Sequence, residues 1–172
     1  MTIRVLLEDA AGLWQSGRKV GAFVLVLVTV SATSRKRYPT GTRSWQFPGK
    51  DMKDGEAFRR FVLDEMGTIT GGPKYNVAFP FQGRDKVPLE DILYTHLRCQ
   101  LVHEAEMPKW IYLTETEYED GKSLNVLRLT DPLGFPEGWI NNLAVAVRLA
   151  PENADEFAPA KDESDGLDTQ KA

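Results

Sequence analysis

Apolar residues fall into dense blocks separated by polar, glycine- and proline-containing stretches, and each block carries its own period. Gly21 to Val30 reads GAFVLVLVTV, an unbroken β-branched and leucine-rich run stopped by polar Ser31 to Arg37, which predicts a buried central strand. Ile3 to Leu7 is a shorter strand candidate, and Ala10 to Lys19, with Gly12 and Gly17, reads as an irregular connection. Ser31 to Ser44 reads as a positively charged loop holding Pro39 and Gly41, after which the brief alternation Trp45-Gln46-Phe47 stops at Pro48-Gly49. A helix is expected from about 55 to 66, with Asp54 as N-cap, Phe58, Phe61, Val62 and Met66 on one apolar face, and Gly67 as C-cap. Tyr75 to Phe81 and Ile92 to Val102 read as strands, Pro108 to Leu113 as a strand entry, and Glu115 to Asp120 as a charged turn or short helix. The last block, Pro136 to Leu149, places Trp139, Leu143, Ala146 and Val147 on one side of a helix. Strands on both sides of one helix, with a second helix at the end, define an α+β architecture in which helices cover a mixed β-sheet.

Composition narrows the partners. The 172 residues carry 42% hydrophobic and 27% charged residues, the profile of an ordinary globular domain. The net charge of −4 is unevenly spread. Residues 151–172 hold seven acids against Lys161 and Lys171, a charge of −5, which leaves the body at +1. This divides the chain into a domain over 1–150 and an acidic tail over 151–172, whose only large apolar residues are Phe157 and Leu167 and which is expected to be disordered. A nearly neutral body argues against broad, charge-driven nucleic-acid binding and leaves room for a local basic cleft. The one cysteine, Cys99, excludes an internal disulfide and a multi-thiolate zinc site, and its apolar neighbours suggest a buried, inert thiol. Val20 to Val30 is too short to span a membrane and too far from the start for a signal peptide, so no membrane partner and a cytoplasmic location are expected.

The chemistry is concentrated in Phe47-Pro-Gly-Lys-Asp-Met-Lys-Asp-Gly-Glu-Ala-Phe-Arg-Arg-Phe-Val-Leu-Asp-Glu-Met-Gly67. A loop opening Pro-Gly-Lys that enters a helix ending in adjacent acids before a glycine resembles the signature of the Nudix hydrolases, G-x5-E-x7-R-E-U-x-E-E-x-G-U, where U is bulky and aliphatic. Gly49 and Glu56 match its opening with one extra residue between them, and Arg60, Val62, Asp64, Glu65 and Gly67 match its second half. Three residues separate Glu56 from Arg60 where the family has seven, close to the loss of one helical turn. Phe61 stands where the family has a glutamate, and a phenylalanine neither binds a metal nor accepts a proton.

That resemblance implies an α/β/α sandwich and a metal-dependent pyrophosphohydrolase acting on a nucleotide-like small molecule, a nucleoside diphosphate linked to another moiety. Asp64 and Glu65 would hold Mg2+ or Mn2+, Arg60 would orient them, and a carboxylate would take the proton of a metal-bound water. Glu56 either joins the metal cluster or pairs with Arg60, and the competing reading of Glu56, Arg60 and Asp64 is a solvated, salt-bridged helix face. Lys50, Arg37 and Arg43, with Arg35 and Lys36, are candidates for holding phosphates. Glu104 and Glu106 are candidates to replace the missing carboxylate, while His96 and His103, seven apart on a strand-like run, point to opposite faces. Trp45, Phe47, Tyr75, Phe79, Phe81 and Trp110 either stack a base or fill the core. No P-loop, nucleophile-elbow serine or cysteine-rich motif is present.

Two further readings compete with hydrolysis. In one, a Nudix-like fold has lost catalysis and binds a nucleotide, an RNA end or a protein, which Phe61 and the shortened helix favour. In the other, the chain is a small interaction protein whose acidic tail makes the contact.

Overall fold

The computed structural model describes residues 2–72, 76–104 and 106–158. The Gly21–Val30 run, expected as a strand, is the middle of a long helix, α2 (Lys19–Arg37). Its buried positions Ala22, Phe23, Val26, Leu27, Thr29, Val30, Thr33 and Ser34 are largely linked by steps of three and four, the helical period. An unbroken apolar run fits a buried helix as well as a buried strand, and here contacts with helices on several sides select the helix. The Ser and Thr hydroxyls near its end return to the helix's own carbonyls: Thr29 donates to Val26 at 2.7 Å, Ser31 to Leu27 at 2.9 Å, Thr33 to Thr29 at 2.8 Å and Ser34 to Ser31 at 2.8 Å. These bonds satisfy buried polar groups without leaving the helix.

Ile3–Leu7 is also helical rather than extended, as the start of α1 (Ile3–Gln15). Thr2 caps this helix by accepting from the Val5 amide. Ile3, Leu7, Ala10 and Trp14 form the stripe that packs into the core, and Gly17, at φ 78°, turns the chain into α2. The helix expected at 55–66 is present as α3 (Asp54–Asp64), with Lys53 rather than Asp54 at the N-cap. After Glu65 the chain continues into α4 (Met66–Thr70), so Gly67 lies within a helix, and the left-handed cap is Gly71 at φ 71°.

β1 (Ala78–Phe81) and β2 (Arg84–Pro88) form an antiparallel hairpin. Tyr75, the expected start of that first strand, lies outside the described residues. Ile92–Val102 is helical throughout its expected strand: α5 (Leu89–Asp91) widens into π-helical turns over Ile92–Arg98 and closes as α6 (Cys99–Glu104). Leu89, Leu93, Leu97 and Leu101, four apart, are its buried stripe, a helical period that the strand reading overlooked. β3 (Ile111–Thr114) pairs in parallel with β6 (Leu133–Pro136), while β4 (Glu117–Glu119) and β5 (Lys122–Leu124) make a second hairpin where a turn or short helix was expected. The α+β class therefore holds, but the strands of the described residues form three separate two-stranded ladders. One mixed sheet under helices is not formed, because the segment expected to be its central strand is α2.

The expected C-terminal helix is α7 (Glu137–Leu149), burying Trp139, Ile140, Leu143, Ala146 and Val147. α2 packs against α1, α3 and α7. Phe23, Phe135 and Trp139 join the helices to β6, with ring centroids 6.0 and 5.6 Å apart along that chain. The ordered body does not stop at 150. Pro151–Asn153 forms a 3-10 turn and α8 (Ala154–Phe157) follows, anchored by fully buried Asn153, whose amide donates to Thr33 Oγ1 at 2.9 Å and to the Val147 carbonyl at 2.8 Å. Acidic side chains counted with the tail are thus part of the fold, held by basic residues of α2. The tail reading for 159–172 falls outside the described residues. Among the described residues, no helix is long and apolar enough to cross a membrane.

Candidate functional site

Pro48-Gly49 closes a tight turn in which the Lys50 amide donates to the Phe47 carbonyl at 3.1 Å. Gly49, at φ 82°, occupies the position that a type II turn reserves for a residue with positive φ. Flanking bonds, Ser44 amide to Lys50 carbonyl at 2.9 Å and Met52 amide to Thr42 carbonyl at 2.7 Å, make residues 42–52 a hairpin-like excursion. The loop is fastened from below by Glu56. One carboxylate oxygen accepts from the Trp45 and Gln46 amides at 2.7 and 3.2 Å, and the other from the Ser44 hydroxyl at 2.7 Å, while Ser44 Oγ accepts from the Phe47 amide at 2.9 Å. Glu56 is buried and pairs neither with Arg60 nor with Asp64.

Burial pushes the Glu56 carboxyl up, and the hydrogen bonds from Ser44, Trp45 and Gln46 outweigh it, leaving the group below its ordinary value of 4.5. A depressed folded value means that Glu56 contributes stability above about pH 4.5, which is lost as pH falls through the folded value. Glu56→Gln is expected to lower stability at neutral pH by about 2 kcal/mol. It should also flatten the fall in stability on acidification, read from urea midpoints between neutral and acid pH. A variant with the same midpoint and the same acid limb as the parent would refute this role.

The loop presents its aromatics outward. Trp45 is 65% exposed and Phe47 55% exposed, so these two of the expected stacking residues lie outside the core, whereas Phe79 and Phe81 are core residues and Trp110 is half-buried. The Arg60 guanidinium lies 3.9 Å from the centre of the Trp45 indole, a cation–π contact. Arg43 pairs with Asp51 at 3.1 Å, and the Lys50 and Lys53 ammonium groups meet no acid among the described residues. Lys50 therefore remains available to an anion.

Asp64 and Glu65, at the end of α3, are gathered by basic side chains. Arg37, from the last turn of α2, reaches Glu65 at 2.9 Å and Asp64 at 3.8 Å, and grips Glu152 bidentately at 2.6 and 3.3 Å. Asp64 also stands 3.3 Å from Arg60 Nε and accepts a hydrogen bond from the Tyr38 hydroxyl. Burial, then that bond to Asp64, pushes the Tyr38 phenol up to about 12. Phe61, the residue in place of the family glutamate, is fully buried with the Arg37 guanidinium 4.6 Å above its ring. A glutamate there would have no access to water.

This arrangement does not fit the divalent ion that the resemblance implies. Mg2+ and Mn2+ need carboxylate oxygens free to enter a shell shared with water. Here Arg37 and Arg60 occupy the approaches to Asp64 and Glu65, and Glu56 is committed to the loop. Among the described residues no group of three or more His, Cys, Asp or Glu side chains converges as a metal centre would. Arg37, expected to hold phosphate, is consumed by three carboxylates, and Arg35 is tied to Asp54, Thr40 and the Met52 carbonyl.

Of the remaining candidates, Glu104 accepts from Gln100 at 3.4 Å and Glu106 is exposed. His96 lies edge-on to Phe81 and to Trp110, and burial, followed by the charge of Arg84, lowers its pKa. Cys99 is half-buried and free rather than buried. Sequence reasoning missed Tyr38, Ser44 and Glu152, since their partners are 12 to 115 residues away. The i, i+4 pair Arg60–Asp64 was the one part of the network legible from spacing.

Fold and site together define an α+β protein with an aromatic loop beside an arginine–carboxylate clasp. The chain belongs to the Rv1289 family, whose model matches residues 3–168. No curated protein and no solved structure matches it.

Proposed function

We propose that this chain is a binding module for a nucleotide, stacking its base on Trp45 and holding its phosphate with Lys50, and that the acids at the end of α3 are a clasp rather than a hydrolytic centre. The observation that carries the reading is the state of Trp45. Its backbone is fixed by a buried carboxylate and one ring face is backed by a guanidinium, yet most of the indole remains in water. A rigid, exposed aromatic loses little freedom on stacking, and any base offers the flat surface it needs. Phe47, two residues on in the same loop, is a second exposed ring, and Lys50 supplies an unpaired charge for the phosphate.

The shared chemistry, a base joined to a phosphate, occurs in a free nucleotide and at a nucleic-acid end. Fluorescence polarisation with a labelled mononucleotide and a labelled, 5′-phosphorylated short RNA separates the two by which binds more tightly. Trp45→Ala is expected to weaken the tighter ligand by about 5- to 100-fold, the range of one base stack, while the unfolding midpoint stays unchanged. Lys50→Ala should reduce the salt dependence of binding. Saturable binding unaffected by Trp45→Ala, or no binding of either probe, overturns the reading. Metal-dependent phosphate release from nucleoside diphosphate derivatives that Glu65→Gln abolishes would replace it with hydrolysis.

A further inference from the structure

Glu90 is a buried acid that neither the Trp45 loop nor the arginine clasp uses. It lies in the first turn of α5 and is 8% exposed, with one carboxylate oxygen shut off from solvent and without a hydrogen-bond donor. Among the described residues it forms no ion pair. When ionised, such a group is an uncompensated buried charge, and binding a proton removes the charge. The adjoining Asp91 is itself negative and is held by Arg59 Nε at 2.5 Å. Arg59, on α3, is further committed to the Gly55 carbonyl and the Thr95 hydroxyl, each at 3.1 Å. On the π-helical turns that follow, His96 packs on Phe81 and Trp110, and Arg98 lies 5.7 Å from the centre of the Tyr94 ring. Arg84, Asp85 and Lys86 of β2 are exposed.

Burial pushes the Glu90 carboxyl above its ordinary value of 4.5; the bond from its own amide and the Arg59 charge pull it down, the Asp91 charge pushes it up, and the balance is upward. A raised folded value means that the contribution of Glu90 to stability is fully present below about pH 4.5 and is lost as pH rises through the folded value. The turn packs against α3. It is tied there by the Asp91–Arg59 bond and by Tyr94, whose ring lies so near Gly55 that a Cβ on that residue would stand 2.8 Å from it. Ile92–Arg98, which follows, is π-helical, a rare geometry that is frequent at functional sites. We propose that Glu90 is a proton latch: as the neutral acid it seats the first turn of α5 on α3, and on ionising it draws that turn toward water. The device acts as pH rises, opposite in sign to Glu56, whose contribution is lost on acidification.

Two NMR measurements on the full chain test the latch. The Glu90 side-chain carboxyl, followed by its 13C shift and assigned by its absence in Glu90→Gln, should titrate above the ordinary value of 4.5. Amide exchange at residues 91–95 should run at least about fivefold faster in the parent than in Glu90→Gln at about pH 8, with the two equal at about pH 4. Comparing the two proteins at each pH cancels the titration of His96 and of every other group they share. Glu90→Leu, which fills the space with no proton to lose, should show the same slow exchange at the alkaline end. Amides of α7 should exchange alike in parent and variants at both pH values, which marks the change as local. A Glu90 midpoint at or below 4.5, an exchange ratio that does not change with pH, or an equal rise throughout α7 would overturn the proposal. Neither measurement uses a nucleotide, so this latch and the reading of Trp45 fail independently.

Discussion

Phe61→Glu, which restores the glutamate of the Nudix signature, is expected to unfold the protein or to strip it of most of its stability, without conferring metal dependence. Removing a fully buried phenylalanine side chain costs about 3–5 kcal/mol on its own, and a carboxylate in the same space adds the desolvation of an unpaired charge. Against a total stability of about 5–15 kcal/mol for a domain of ordinary size, little would remain. Arg37 is 4.6 Å from the ring but already shares its charge among Glu65, Asp64 and Glu152, so it cannot neutralise a fourth carboxylate. Phe61→Leu is the control, expected to retain the fold with a much smaller loss. Urea unfolding with and without Mg2+ and Mn2+ decides the matter. A glutamate variant with the parent's midpoint, raised further by either ion, would show that the position belongs to a metal site.

Arg37→Gln ranks next. Its side chain is 15% exposed and is the common partner of acids from α3, from the junction with α4, and from the turn after α7. Removing it leaves three carboxylates facing one another with reduced access to water, and breaking a buried pair in this way costs about 3–5 kcal/mol. Partial exposure places the expected loss near the lower figure, about 3 kcal/mol. Arg37→Lys should recover only a fraction, since one ammonium cannot reproduce the fork that holds both oxygens of Glu152. Glu152→Gln, measured alone and with Arg37→Gln, completes a cycle in which the coupling between the two isolates their contact. A loss below about 1 kcal/mol for Arg37→Gln would reduce the clasp to an ordinary surface ion pair.

Both predictions turn on features that the chain reveals unevenly. α3 and α7 were legible because their apolar residues alternate with polar ones at the helical period. α2 was not, because a run that is apolar on every side carries no period to read, and its valines favour a strand when considered one by one. Only packing against α1, α3 and α7 makes the helix the better burial. The stretch 92–102 differs from expectation for another reason. Leu93, Leu97 and Leu101 recur at the helical period, but a short apolar run is also compatible with a strand.

At the site, the residues were identified before their roles were. Glu56 matches a signature position and proves to be the fastening of a loop, for which no spacing rule prepared. Asp64 and Glu65 are adjacent acids at a helix end, and what they meet is decided by Arg37, 27 and 28 residues earlier in the sequence. Trp45 and Phe47 were singled out as aromatics, while their exposure depends on the Pro48-Gly49 turn and on the carboxylate beneath it.

The turn at Pro151–Asn153 also bears on the order in which the chain is made. Thr33, Lys36 and Arg37 emerge early in synthesis, yet their partners Asn153, Glu156 and Glu152 follow 115 to 120 residues later. Glu156 further accepts from the Arg4 amide at 3.1 Å, across 152 residues. Lys36 therefore waits for its acid until almost the last described residue has left the ribosome, whereas Arg37 meets Glu65 and Asp64 first. Seating the turn after α7 on α2 is thus a long-range closure, of the kind that slows folding.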